Sequence, residues 1–259
     1  MRTGKQHIAL LLSGTVLLAA FAMSCGGGTA ERPQSIPTDD GVSTPTGGDE
    51  SDTETVGIVV VEDDFVLGAR LFGRQNDVGV ILSHMRPNDQ SDWFAFAQRL
   101  ADEGYAALTF DFRGYGASGS DKDFDKLDED LLEAIRFMRD RGKGPIFLIG
   151  ASMGGTASLV VAGQQEIAGV VAISAPSRFE GQDALSAVPN ISEPKLFIVS
   201  EDDVQAADFA DLVAAAGEPM ESQTYPGSLH GTNLFQGGSE HKTAVEELIL
   251  QFLRQHGGP

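Results

Sequence analysis

Between residues 78 and 225 six short strand-like runs, "VGVILSH", "YAALTF", "PIFLIG", "GVVAISA", "KLFIVS" and "MESQTY", alternate with longer stretches of helical spacing. The first five runs are apolar almost throughout. A strand with apolar residues on both faces needs cover on both faces, and an intervening amphipathic helix supplies it while returning the next strand parallel. The alternation therefore predicts an α/β fold with a mostly parallel sheet between two helical layers. Ahead of it, "VGIVVVEDDFVLGARLFG" (56 to 73) reads as two strands joined by the polar turn Glu62, Asp63, Asp64, adding an antiparallel edge and bringing the strand count to eight. Helices are predicted over 91 to 104, capped by Ser91 and stopped at Gly104, over 126 to 142 with Leu127, Leu131, Leu132, Ile135 and Met138 on one face, from Met153 to about Gln164, over 204 to 216 and over 241 to 256. In such sheets chemistry gathers beyond the carboxyl ends of the strands. The loops after residues 84, 110, 150, 175, 200 and 225 are thus expected to converge.

The first residues stand outside this pattern. "MRTGKQH" is basic and the following 16-residue run "IALLLSGTVLLAAFAM" is apolar, shorter than the roughly 20 residues a spanning helix needs. It reads as an export signal over residues 1 to 24. It ends on "FAMSC", just before Cys25, the one cysteine of the chain. This stretch resembles a bacterial lipoprotein signal, which implies lipidation at Cys25 and an exported protein held by its lipid to the outer face of the cytoplasmic membrane, or in the periplasm or outer membrane. Ala22 stands where that family usually has Leu, and Ala22 with Ser24 also fits cleavage of a plainly secreted chain. Residues 25 to 55 are rich in Gly, Pro, Ser, Thr and acids, have little to bury, and read as a disordered tether. The folded domain is expected over 56 to 259. A single cysteine allows no disulfide within the chain, so stability must come from the core.

Within the domain, "FLIGASMGG" (147 to 155) places Ser152 between an apolar strand and a helix, with Gly150 and Gly154 on either side. That is the setting of a nucleophile elbow, in which the serine occupies a strained backbone position above the sheet. Side chains at the two glycines would collide at so sharp a turn. The N–H of Met153, opening the helix, would face a developing oxyanion. A serine needs a base, and the base an orienting carboxylate. Of the five histidines, His230 in "YPGSLHGTNLF" alone stands on a loop just past the last strand. His7 lies in the signal, His84 ends the third strand, and His241 and His256 lie on the last helix. "FIVSEDDVQA" offers Asp203, or its neighbour Asp202, after a core strand.

The chain order Ser152, Asp203, His230, together with "GASMGG", "DFRGYGAS" and "SEDD", resembles the α/β-hydrolase superfamily over essentially residues 56 to 259. The resemblance implies an eight-stranded α/β-hydrolase fold, a serine hydrolase triad and an acyl-enzyme route for a carboxylic ester or related acyl bond. It also implies a second oxyanion donor from the loop "SHMRPNDQSDW": the N–H of Arg86, or that of Met85, which stands where many members have glycine. Peptidase and thioesterase chemistry share the triad, and a noncatalytic surface protein that kept the fold is the alternative from another class. His84, Asp111 and Arg113 read as loop-bracing groups.

About 20 residues separate the strands ending near Ala175 and starting at Lys195, too few for a sizeable cap domain, so an open site suited to a soluble or exposed acyl or ester substrate is expected. Arg86 and Arg178 lie in converging loops and read either as a clamp for an anionic substrate or as partners of nearby acids such as Asp89 and Glu180. Trp93 reads as a pocket wall or as a core residue. No metal-ligand spacing is visible, and the chemistry needs no cofactor. From residue 56 onward 31 Asp and Glu face 15 Lys and Arg, a surface that repels nucleic acid and anionic lipid. Contact with a membrane is therefore expected through the lipid at Cys25, and the oligomeric state is left open.

Overall fold

The structure, a computed structural model, describes residues 52–119 and 121–259. The stretch read as an export signal, Cys25 and nearly all of the stretch read as a tether lie outside the described residues. The chain opens with a hairpin of β1 (Thr53–Val60) and β2 (Phe65–Phe72), whose turn holds Glu62, Asp63 and Asp64. β1 begins three residues inside the stretch read as tether, because Thr53 pairs with Phe72 at the end of the ladder. There follow β3 (Val78–Ser83), α1 (Phe94–Asp102), β4 (Tyr105–Phe110), α2 (Leu127–Asp140), β5 (Ile146–Ala151), α3 (Met153–Ala162) and β6 (Gly169–Ile173). After a two-residue hairpin, β7 (Arg178–Phe179) and β8 (Gln182–Asp183), and the single turn α4 (Ala184–Ala187), come β9 (Lys195–Ser200), α5 (Ala206–Ala215), β10 (Met220–Tyr225) and α6 (Lys242–Gln255).

Eight strands form one sheet in the order β1-β2-β4-β3-β5-β6-β9-β10. From β4 to β10 every pairing is parallel, and β2 alone runs against its neighbours. Side chains of each strand alternate between two cores. In β4, Ala106, Leu108 and Phe110 pack with Leu131, Ile135 and Met138 of α2 and Leu212 of α5, while Tyr105 and Ala107 face Phe96 and Leu100 of α1 and Ile249 and Phe252 of α6. α3 lies in the first layer and is buried on every side, as its sequence "MGGTASLVVA", polar only at a threonine and a serine, requires.

The register brings the carboxyl ends of the strands level. Ser83 pairs with Gly150, Ala151 with Ile173, Ile173 with Ile198, and Ser200 with Tyr225. Every loop that leaves this row therefore starts within a few ångströms of its neighbour.

One local expectation is corrected. The helix before Gly104 starts as a 3-10 turn, Gln90–Trp93, whose cap is the Asp89 carboxylate accepting from Ser91 N–H at 2.8 Å; Ser91 does not cap it. The 176–190 segment holds β7, β8 and α4, and no cap domain stands above the sheet, as the shortness of the segment implied.

Candidate active site

Ser152 sits between β5 and α3 at φ 49° and ψ −118°, a left-handed conformation that a non-glycine residue holds only under constraint. The constraints are its glycine neighbours and its own backbone. A Cβ on Gly150 would strike the Gly154 carbonyl across the turn. A Cβ on Gly154 would strike the Ser83 carbonyl and come within 2.7 Å of the His84 carbonyl oxygen, so this glycine serves the approach of β3 more than the turn itself. Ser152 N–H donates to Ile173 O at 2.8 Å, and Thr156 N–H donates to Ser152 O at 3.0 Å.

Asp203 and His230 meet. His230 Nδ1 lies 2.9 Å from Asp203 Oδ1 and 3.2 Å from Oδ2. The Asp203 side chain is fully buried, whereas Asp202 points its carboxylate to solvent. Burial alone would raise the Asp203 pKa, but hydrogen bonds from His230, from the Ser174 hydroxyl at 2.6 Å and from Gln205 N–H at 2.8 Å outweigh it, and the carboxyl is held below its ordinary range. An ionised acceptor at Nδ1 fixes the proton on that nitrogen and leaves Nε2 as a base.

The His230 loop is seated against the serine strand. A side chain on Gly231 would meet Met85 Sδ at 2.7 Å and Ala151 Cβ at 3.5 Å. Ser152 Oγ and His230 Nε2 make no hydrogen bond among the described residues, consistent with the loose contacts of substrate-free sites.

His84, fully buried, accepts from Phe112 N–H through Nε2 at 3.1 Å, so Nδ1–H donates to Met85 O at 3.0 Å. Burial holds its pKa down, and it stays neutral as a brace. In a trans peptide the N–H points away from the carbonyl oxygen, so anchoring Met85 O on His84 turns Arg86 N–H the other way. The N–H groups of Met85, Arg86 and Met153 find no acceptor among the described residues.

Asp111 accepts from Gln90 N–H and Nε2, each at 2.7 Å, and from Ala117 N–H at 2.8 Å. Arg113 donates to Asp130 through Nε at 2.9 Å and Nη2 at 2.7 Å, and to Asp63 at 2.8 Å. Both are braces.

Of the two residues named as substrate contacts, Trp93 takes its alternative place in the core and Arg178 pairs with an acid. Trp93 is wholly buried, with Phe235 at 5.1 Å and Phe96 at 6.4 Å between ring centroids, and reaches no open surface. Arg178 pairs with Asp183 at 3.2 Å across the small hairpin, not with Glu180. Arg86 is different: exposed, without an ion pair among the described residues, and stacked over Phe124 at 5.8 Å, whose ring packs edge-on to Phe179 at 5.4 Å. Tyr115 stands beside it with its hydroxyl 3.9 Å from Met153 Sδ. Sequence reading missed Ser174 and this aromatic group: Ser174, Phe124 and Phe179 sit in no motif, Tyr115 lies in "DFRGYGAS" without being singled out, and loops far apart in the chain bring them together. Among the described residues no cluster of metal-ligating side chains occurs.

Sheet order, crossover pattern and the strand-to-helix turn at Ser152 define an α/β-hydrolase fold. Residues 75–180, which include Ser152 but neither Asp203 nor His230, match a family model described as serine aminopeptidase, S33. The chain is similar in structure to an esterase from Pyrococcus furiosus (21% identity, TM-score 0.69, covering 80% of this chain and 91% of that one). It is also similar to a dienelactone hydrolase from Anabaena variabilis (21%, 0.65, 79% and 97%) and to an esterase domain from Rhodothermus marinus (23%, 0.61, 79% and 98%). No curated protein matches its sequence. At such identities the likeness shows the fold, and the chemistry has to be argued from the site.

Proposed function

We propose that this chain is a lidless serine hydrolase of carboxylic esters, exported and anchored by lipid at Cys25. The observation that carries the reading is the buried Asp203 carboxylate 2.9 Å from His230 Nδ1, on loops leaving the same end of the sheet as the left-handed Ser152. His230 Nε2 takes the Ser152 proton as Oγ attacks the acyl carbon. The same proton then goes to the departing alcohol, and a water repeats the sequence to release the acid. Asp203 keeps the tautomer. The oxyanion is received by Met153 N–H at the start of α3 and by Arg86 N–H, with Met85 N–H as the neighbouring donor.

Phe124 and Phe179 supply an apolar wall, and the lack of a cap suits short acyl groups. The S33 description raises the alternative of an aminopeptidase. Its substrates carry an ammonium group close to the scissile bond, and Arg86 beside the wall, without an ion pair among the described residues, opposes a cation there, which favours esters.

A fluorophosphonate probe tests the chemistry. Wild-type protein is expected to label, Ser152→Ala not at all, and p-nitrophenyl esters to be cleaved faster than aminoacyl anilides, with acetate or butyrate preferred to long chains. An intact wild-type protein that does not label, or a Ser152→Ala variant that labels equally, overturns the reading.

A further inference from the structure

We propose that Ser174 is the positioning residue of the Asp203–His230 pair, tying carboxylate and base into one closed hydrogen-bonded ring. The inference rests on the serine hydrolase reading above.

Ser174 follows the last residue of β6 and is 1% exposed. Its φ is 51°, in the left-handed region where glycine is the residue free of steric cost. A serine kept there in the interior has to be held by its surroundings, and its hydroxyl has two such ties. It donates to Asp203 Oδ2 at 2.6 Å and accepts from Gly231 N–H at 3.0 Å. Ser174 N–H donates to Ile198 O at 2.8 Å, so its position is referenced to β9, the strand that leads to Asp203.

The ring runs from His230 Nδ1–H to the Asp203 carboxylate, from that carboxylate to the Ser174 hydroxyl, and from the hydroxyl to Gly231 N–H, which is bonded through one residue back to the imidazole. Each carboxylate oxygen then has a donor besides histidine, Ser174 on Oδ2 and Gln205 N–H on Oδ1, so the carboxylate cannot turn away from the imidazole. Gly231, at φ 56°, leaves no room for a side chain beside Met85 and Ala151, so fixing its N–H fixes the backbone from which His230 projects. The adjacent carbonyl, Ile173 O, accepts from Ser152 N–H. One short segment at the end of β6 thereby references all three members of the triad. A small apolar residue would fill the space equally well, so packing gives no reason for a hydroxyl.

Two replacements separate positioning from structure. Ser174→Ala removes the hydroxyl and keeps the backbone cost. Ser174→Gly removes the hydroxyl and the backbone cost together. Both are expected to lower kcat for a p-nitrophenyl ester roughly ten- to hundredfold with KM within about twofold, since misaligned groups lose rate more than binding. The glycine variant is expected to melt at or above the wild-type temperature. In both, the downfield proton signal of the imidazole Nδ1–H facing a carboxylate is expected to broaden or vanish. Wild-type kcat in either variant, or an impairment only in the alanine variant that follows its melting temperature, overturns the proposal. If wild-type protein neither labels with fluorophosphonate nor cleaves esters, the hydrolase reading falls instead, and the imidazole signal alone then decides whether Ser174 holds the pair.

Discussion

At the scale of single residues the site is a set of groups each kept from an easier alternative. Asp203 is kept charged in the interior by three donors, and this has a measurable sign. Its folded pKa lies below that of an unfolded aspartate, about 3.9, so the stabilisation it contributes is full above that value and is lost as pH falls through the folded value. Asp203→Asn is therefore expected to lower kcat by roughly 10⁴ near neutral pH through the wrong imidazole tautomer, and to flatten the decline of melting temperature below about pH 4. An unchanged acid limb in the variant would show that the carboxylate is not held as described. Ser152 and His230 were legible in the sequence because a motif and a strand address mark them. The choice between Asp203 and Asp202 was not, since one residue of loop decides which carboxylate turns inward. Ser174 had no sequence signal at all, because nothing in "AISAPS" tells of a left-handed backbone or of a carboxylate arriving from 29 residues away.

Elements carry the braces. Arg113, in the loop after β4, joins the side chain of Asp130 in α2 to that of Asp63 in the β1–β2 turn; Arg113 is 7% exposed and Asp130 not at all. Burial opposes both charges of the Arg113–Asp130 pair, and only mutual hydrogen bonding makes them tolerable. Arg113→Met strands the Asp130 charge and is expected to cost about 3–5 kcal/mol in urea unfolding, whereas Arg113→Met with Asp130→Leu should recover most of it. A double variant no better than the single one would mean the loop depends on the pair for more than charge balance. The five apolar strands β3, β4, β5, β6 and β9 were legible to within two residues at either end, because a run apolar on both faces has few other fates. The β7–β8 hairpin was hidden: two-residue strands have no periodicity to read, and Arg178–Asp183 pairing becomes visible only once Gly181 has closed the bend against Asp125.

For the whole molecule, the sheet between two helical layers followed from alternation alone, and the open end followed from the short span between β6 and β9. Among the described residues no helix is long and apolar enough to cross a membrane, and the attachment proposed above is through lipid at Cys25. Wild-type protein is expected in the membrane fraction of a lipoprotein-processing host, and Cys25→Ser in the soluble fraction. Retention of the serine variant on membranes would remove the anchor.

The burial of α3 on every side has a further consequence. Ser152 is mounted on a helix with no wet face, so its amides can meet solvent only when the whole sheet opens, whereas His230 rides on a loop over the rim. The nucleophile and its base thus sit on parts of the protein held by different contacts, and the two are expected to let go at different temperatures. Warming should silence the enzyme by freeing the base while the far-ultraviolet spectrum is still native, so that activity reports the looseness of one loop and not the melting of the fold.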